Sequence, residues 1–133
     1  MATTSYGFSV QTEADPEDTE RRLKELLREE GFGVITEIDV KKTMREKLDL
    51  DFRPYRILGA CNPRLAHRAL ELEPDIGLLL PCNVVVEASP DGGARVSFMD
   101  AGAVMGVVGR EALVPIAAEV MERLHRVAGR LTT

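Results

Sequence analysis

The chain has 133 residues, a net charge of −5, 44% hydrophobic and 29% charged residues, which is the composition of one folded globular domain over 1–133. The acidic balance disfavours a general nucleic-acid surface, so we expect no nucleic-acid partner. The longest apolar run is shorter than the roughly 20 residues that a bilayer requires, so we expect no membrane association. The amino terminus lacks the cationic and apolar regions of a secretory signal, which predicts a cytoplasmic protein whose thiols stay reduced.

The first part of the chain predicts a strand, a helix and a second strand. Apolar residues alternate with small or polar ones over 6–10, as in a strand. Asp15 and Pro16 are typical of a helix start, and Gly31 is placed to end that helix. Residues 32–40 alternate again with period two, which indicates a half-buried strand.

The middle of the chain predicts two further helices with a strand between them. Asp39 can cap a short helix over Lys41–Leu48. After a polar loop, residues 55–60 have the pattern of a strand, and Asn62 with Pro63 then starts another helix. The side chains that these two helical patterns place in the core are Val40, Met44, Leu48, Leu65, Ala66, Ala69 and Leu70.

The following stretch predicts three strands. Residues 76–80 form a short apolar run that favours a buried strand, and Pro81 interrupts its pairing. Residues 83–88 and 94–99 form a hairpin around the turn at 89–93. Strands that come singly or in pairs between helices predict an α+β fold. We expect a single mixed or antiparallel sheet of about five or six strands, packed with helices mainly on one face.

The apolar, glycine-rich segment 100–109 is unusual for an exposed loop and should pack against something. A long helix over 111–130 follows, and the apolar stripe along one side of it should cover the sheet. In so small a domain, no other part of the core is then left for residues 100–109 to fill. We therefore expect a homodimer with residues 101–108 at or beside the interface; the alternative is that the segment folds under the last helix within one subunit. The stripe consists of Leu113, Ile116, Ala117, Val120, Met121, Leu124, Val127 and Leu131.

Two Cys-Asn pairs stand where apolar runs meet turn signals, within Cys61–Pro63 and Pro81–Asn83. Together with Gly31–Val34, these motifs make the chain resemble the family known as domain of unknown function 302. The resemblance implies a compact α+β fold, found as a stand-alone bacterial protein and often dimeric, without an established activity. The sequence departs from the family after the last strand, where Ala101 follows Asp100 in place of proline.

The first Cys-Asn pair is predicted to lie between a strand and the start of a helix. Free amides and the positive end of the helix dipole favour an anion there, and they would lower the pKa of the Cys61 thiol. The alternative is that Cys61 is a small buried hydrophobe and that Asn62 only caps the helix. Asn83 opens a strand, where asparagine is disfavoured, so its amide should bond either a ligand or backbone left free by Pro81.

The ligand-binding candidates are therefore Cys61, Asn62, His67, Cys82 and Asn83. We expect the two cysteines to lie near one another, because the runs before them should be neighbouring strands. The spacings between the cysteines and His67 do not match the usual zinc patterns, so we expect no metal site and no cofactor. No residue pattern identifies a catalytic group.

Three functions remain open on these residues. The leading interpretation is a small cytosolic protein that binds a small molecule or an anion near the two Cys-Asn motifs. The second is a thiol-dependent redox or transfer enzyme that uses Cys61 or Cys82. The third is a dimeric structural or interaction module. An exposed thiol with a perturbed pKa would favour the enzyme, and a large ordered pocket would count against the third interpretation.

Overall fold

A computed structural model describes residues 1–132 and contains one six-stranded antiparallel sheet with the strand order β1-β2-β6-β5-β4-β3. Among these residues, no helix is long and apolar enough to cross a membrane. The strands are β1 Ala2–Thr3, β2 Gly7–Thr12, β3 Gly33–Asp39, β4 Tyr55–Cys61, β5 Cys82–Ala88 and β6 Ala94–Met99. The helices are α1 Pro16–Glu29, α2 Val40–Leu48, α3 Pro63–Leu72, α4 Ala101–Gly106 and α5 Val114–Leu131, with 3₁₀ turns at Pro74–Leu79 and Glu111–Leu113.

The core lies between one face of the sheet and the helices α1 and α5. We call this the inner face; the opposite side is the outer face. Side chains of a strand alternate between the two faces, so every second residue of the central strands enters the core. The fold is α+β, as predicted. The buried side chains include Phe8, Leu58, Val84, Val86, Val96 and Phe98 from the sheet, Leu23, Leu26 and Leu27 from α1, and Ile116, Val120, Leu124 and Val127 from α5.

The starts of α1, α2 and α3 have the capping residues that the sequence indicates, and Asp100 caps α4 in the same way. At each of these four starts, a side-chain oxygen accepts a hydrogen bond from a backbone N–H three residues further on, which satisfies a donor that the helix leaves free. The bonds are Asp15 with the Asp18 amide at 2.8 Å, Asp39 with Lys42 at 3.0 Å, Asn62 with Leu65 at 3.4 Å, and Asp100 with Ala103 at 2.9 Å.

The prediction of a strand over 76–80 is wrong, because residues 76–79 belong to the 3₁₀ turn Pro74–Leu79. Within the turn, Ile76 is buried and Leu78 is exposed. Side chains three residues apart share a side of a 3₁₀ helix, so Ile76 and Leu79 can both face the core while Leu78 cannot. A short apolar run is therefore compatible with both a buried strand and a 3₁₀ turn, and its local sequence pattern does not distinguish the two.

The inward side chains predicted for the helix after Asp39 are also not in the core. All nine residues of α2 are exposed or half-buried, and Leu48 is exposed. Leu70 of α3 was likewise expected inside but is exposed. Both helices have the amphipathic pattern that was expected. No other element of the chain packs over all of their apolar side chains, so Leu48 and Leu70 stay exposed.

The apolar segment after β6 contains the short helix α4. Ala101 and Met105 are buried, and α4 packs against α5. These two residues pack within one subunit, as in the alternative, whereas Val107 is exposed, and the homodimer with residues 101–108 at its interface stays a prediction. The buried half of the segment therefore gives no reason to place a dimer interface there.

Gly59 in β4 keeps the sheet tightly packed where β3, β4 and β5 meet. A Cβ atom at this position would lie 2.6 Å from Cγ of Pro81 and would overlap Oγ1 of Thr36. Atoms this close cannot be accommodated without movement of the backbone or of a ring. Gly33, which opens β3, has open space where its Cβ would be.

We expect Gly59→Ala to destabilise the fold by about 1–3 kcal/mol through overpacking, and Gly33→Ala to change stability by less than about 0.5 kcal/mol. Denaturant unfolding of both variants would measure the difference. Adding Thr36→Ala should recover part of the loss in Gly59→Ala, because it removes the hydroxyl that the new methyl group meets. Equal stabilities of the two alanine variants would contradict this account.

Candidate ligand-binding cleft

A cleft of about 280 Å³ lies where β4 ends and β5 begins. It is bounded by both strand ends, by α3 and the 3₁₀ turn that follows it, and by residues of α4 and α5. Every side chain among the described residues that line it is uncharged. The lining residues are Phe32, Ile35, Ala60, Cys61, Asn62, Leu65, Ala66, Leu70, Gly77, Leu80, Pro81, Cys82, Met105, Ile116 and Val120.

Both cysteines line this cleft because β4 and β5 are neighbouring antiparallel strands. Their register places Ala60 directly opposite Cys82, and Cys61 follows Ala60 at the end of β4. Cys82 is buried, Cys61 is half-buried, and both are free cysteines. The structure thus brings together the two residues that sequence reasoning expected to meet.

Burial raises the pKa of both thiols. Loss of water around Cys82 raises its pKa to about 11, with a further contribution from the neighbouring Cys61. Burial also raises the pKa of the Cys61 thiol. The lowered pKa expected for Cys61 at a helix start is therefore not found. Desolvation disfavours the thiolate, and it is the cause of the raised pKa at Cys61.

Asn62 holds the cleft wall together through both ends of its amide. Its Oδ1 accepts the bond from Leu65 that caps α3, and its Nδ2 donates to the backbone oxygen of Glu30, 3.4 Å away, just after α1. The same oxygen accepts a hydrogen bond from Nη1 of Arg123 in α5 at 2.9 Å. Asn62 therefore joins α3 to the end of α1, the Glu30 oxygen links α5 to the same point, and the Asn62 amide is largely committed to the protein.

The other two candidates lie outside the cleft. Asn83 is exposed, and it pairs in register with Gly59, whose Cβ position faces Thr36. Asn83 lies outside the cleft because alternation along β5 sends Cys82 to the core and its neighbour to the outer face. His67 is exposed on α3, where its Nε2 lies 3.1 Å from Oε1 of Glu71.

Sequence reasoning missed most of the lining residues. Met105 comes from α4, and Ile116 and Val120 come from α5, more than forty residues after Cys61. Their helical spacing identified Ile116 and Val120 as core, but a cleft beside them depends on how α3 and α5 approach each other. Ile35 is easier to recognise in the structure as a residue at the edge of the cleft. It lies at the irregular pairing between Val34 and Thr36 in β3, and it is exposed.

We expect iodoacetamide to modify Cys82 far more slowly than Cys61 in the folded protein. The thiolate is the reactive form, and with a pKa of about 11 roughly one Cys82 in a thousand would be ionised near pH 8. The rate at Cys82 should rise as the pH approaches that pKa. Intact-mass measurement on Cys61→Ser and Cys82→Ser, each with one thiol left, would give the two rates. In denaturant the two thiols should react alike, and rapid native labelling of Cys82 at neutral pH would contradict this picture.

The chain matches the family model described as domain of unknown function DUF302 over residues 8–131. It also resembles the crystal structure of an uncharacterized conserved DUF302 protein from Bacillus stearothermophilus. The two chains are 32% identical with a TM-score of 0.88, and the match covers 96% of this chain and 99% of the other. No curated protein matches the sequence significantly. The match over nearly the whole chain places this protein in the DUF302 family.

Proposed function

We propose that the protein binds a small, uncharged and mostly apolar molecule in the cleft beside Cys61 and Cys82. The observation that carries the proposal is the cleft itself, with about 280 Å³ of space beside the two motifs. Sites for small molecules usually measure roughly 300–1,000 Å³ and are mostly apolar, with few polar groups to orient the ligand. The volume of this cleft lies just below that range, so its ligand should be small.

The chemistry of the lining favours an uncharged ligand over an anion. No Lys, Arg or His is among the described residues that line the cleft. The first amides of α3 are partly satisfied by the Asn62 cap. Both thiols have raised pKa values because burial disfavours their negative form, and the same loss of water would disfavour a bound anion.

The edge of the cleft supports the same class of ligand. Ile35 and Leu70 both line the cleft and are both exposed to solvent. A ligand seated there would remove apolar side chains from water, which stabilises the complex in proportion to the apolar area covered. An apolar ligand would therefore gain from the wall of the cleft and from its edge.

The competing proposal is a thiol-dependent enzyme, and its support is that two cysteines share one cleft. A thiol enzyme needs a thiolate, which an adjacent base or cation usually stabilises. Among the described residues of the lining there is no such group, and burial raises both thiol pKa values. Binding without covalent chemistry is therefore the better supported function.

A direct test compares benzyl alcohol with benzoate, two probes of similar size and different charge. In a ¹H–¹⁵N titration, benzyl alcohol should shift amide signals of residues 60–66 and 80–82, while benzoate should shift them at least about tenfold more weakly because its charge must lose water. Stronger binding of benzoate would favour an anion site. Absence of binding by any of a series of small neutral probes would favour the interaction module.

A matched pair of variants tests the location. Ala66→Phe puts a ring into the cleft from α3 and should abolish the benzyl alcohol shifts, because the space is filled. Ala103→Phe adds the same ring at an exposed position of α4 outside the lining, and it should leave binding unchanged. Circular dichroism would check that both variants fold. Equal loss of binding in the two variants would place the probe elsewhere.

A further inference from the structure

A second cleft, of about 330 Å³, lies between α4 and α5 next to the cleft that holds the two cysteines. We call the new space the α4–α5 cleft and the first one the cysteine cleft. Among the described residues that line the α4–α5 cleft, all but Arg110 and Glu111 are uncharged. Both charged residues lie in the connection between α4 and α5, so the rest of the cleft wall is without charge.

The side chain of Met105 separates the two clefts. Met105 is buried, and it belongs to the lining of both. The two clefts also follow neighbouring sides of α5, because Ile116 and Val120 line the cysteine cleft whereas Leu113 and Ala117 line the other. A methionine side chain is unbranched and flexible, and it adapts to irregular spaces. Rotation of this one side chain would therefore join two apolar spaces.

The helix that carries Met105 is also weakly constrained at its far end. α4 has only six residues, and two of them are the poor helix formers Gly102 and Gly106. Its start is held by the Asp100 cap and by the Ala101 amide, which donates to Sδ of Met121 at 3.2 Å. A helix this short depends on such contacts rather than on its own hydrogen bonds. The end that carries Met105 can therefore shift while the start stays in place.

We propose that the two clefts together bind one elongated, neutral aliphatic molecule, whose chain passes Met105 and whose polar end lies near Arg110. This inference rests on the proposed function and names its ligand class. The cysteine cleft alone, at about 280 Å³, is small for a ligand site, whereas both clefts together fall well inside the usual range of roughly 300–1,000 Å³. An unbranched chain is narrow enough to pass a displaced methionine side chain, and it gains affinity with each methylene group that leaves water.

The charges at the end of the α4–α5 cleft favour a neutral polar group over an ion. Nη1 of Arg110 donates to the backbone oxygen of Leu72 and lies 3.8 Å from Oε2 of Glu73. Glu111 is the other charged residue of the lining, so the guanidinium already has two carboxylates near it. A ligand carboxylate would add a third negative charge there. A hydroxyl group can accept from the guanidinium and donate to a carboxylate, which suits a place where both charges meet.

A ¹H–¹⁵N titration with 1-octanol, next to benzyl alcohol, would test the joined site. Benzyl alcohol should shift residues 60–66 and 80–82 alone. 1-Octanol should shift these and also residues 102–106 and 117–121, with one common dissociation constant, because one molecule occupies both clefts. It should bind at least about fivefold more tightly than 1-hexanol, since each added buried methylene group strengthens binding roughly threefold to fourfold. Octanoate and octylammonium should bind more weakly than 1-octanol.

A matched pair of variants tests the second cleft. Ala118 is exposed on α5 and lines only the α4–α5 cleft, so Ala118→Phe adds a ring there. It should remove the shifts at 102–106 and weaken 1-octanol binding at least about fivefold, while benzyl alcohol binds as before. Ala103→Phe is the control, because Ala103 is exposed on α4 and lines neither cleft. Both variants replace exposed side chains, and circular dichroism would check that they fold.

The outcomes separate this inference from the proposed function. Absence of benzyl alcohol shifts around the cysteines would overturn the proposed function, and this inference with it. If benzyl alcohol binds there, 1-octanol shifts confined to the cysteine cleft would overturn this inference alone. Equal effects of Ala118→Phe and Ala103→Phe would do the same, as would two different dissociation constants, which indicate two separate molecules. Tighter binding of octanoate or octylammonium would overturn the neutral class of ligand.

Discussion

The antiparallel register between β4 and β5 determines where the cleft lies. It places Ala60 opposite Cys82 on the inner face and Gly59 opposite Asn83 on the outer face. A slip of one residue would exchange the two faces and move the Cys82 thiol to solvent. Gly59 helps to prevent that slip, because only a residue without a Cβ fits between Thr36 and Pro81. One close approach in the sheet thus fixes which member of the second Cys-Asn pair reaches the cleft.

The sequence predicted those features of the fold that depend on near neighbours along the chain. A capping side chain bonds an amide three residues away, so Asp15, Asp39 and Asn62 could be recognised as helix starts without knowledge of the fold. The alternation of the strands and the turn before Ala94 are equally local. For the candidate site, the sequence predicted that the two cysteines lie near one another. That prediction required only that β4 and β5 be neighbouring strands.

The rest required knowledge of how distant elements pack. Residues 76–80 are apolar in either a strand or a 3₁₀ turn, and only the surrounding core selects the turn. The pattern of α2 predicts an apolar side correctly, but it cannot say whether the same chain covers that side. The pKa of Cys61 was predicted from the nearby helix start, whereas its direction is set by burial, to which α3 and the other walls of the cleft contribute. Each of these errors concerns what packs around a residue in the folded chain, which the neighbouring residues in the sequence do not determine.

The two thiols and the proposed ligand are connected by the same physical effect. A protonated cysteine is only weakly polar and packs like a small apolar residue. Burial keeps Cys82 in that form, so the thiol serves as part of an apolar wall next to Ala60 and Leu65. The desolvation that holds the proton on the sulfur also makes any bound negative charge costly. A cleft whose cysteines stay neutral for this reason should therefore select a neutral ligand, and thiol chemistry there would first require a group that supplies positive charge.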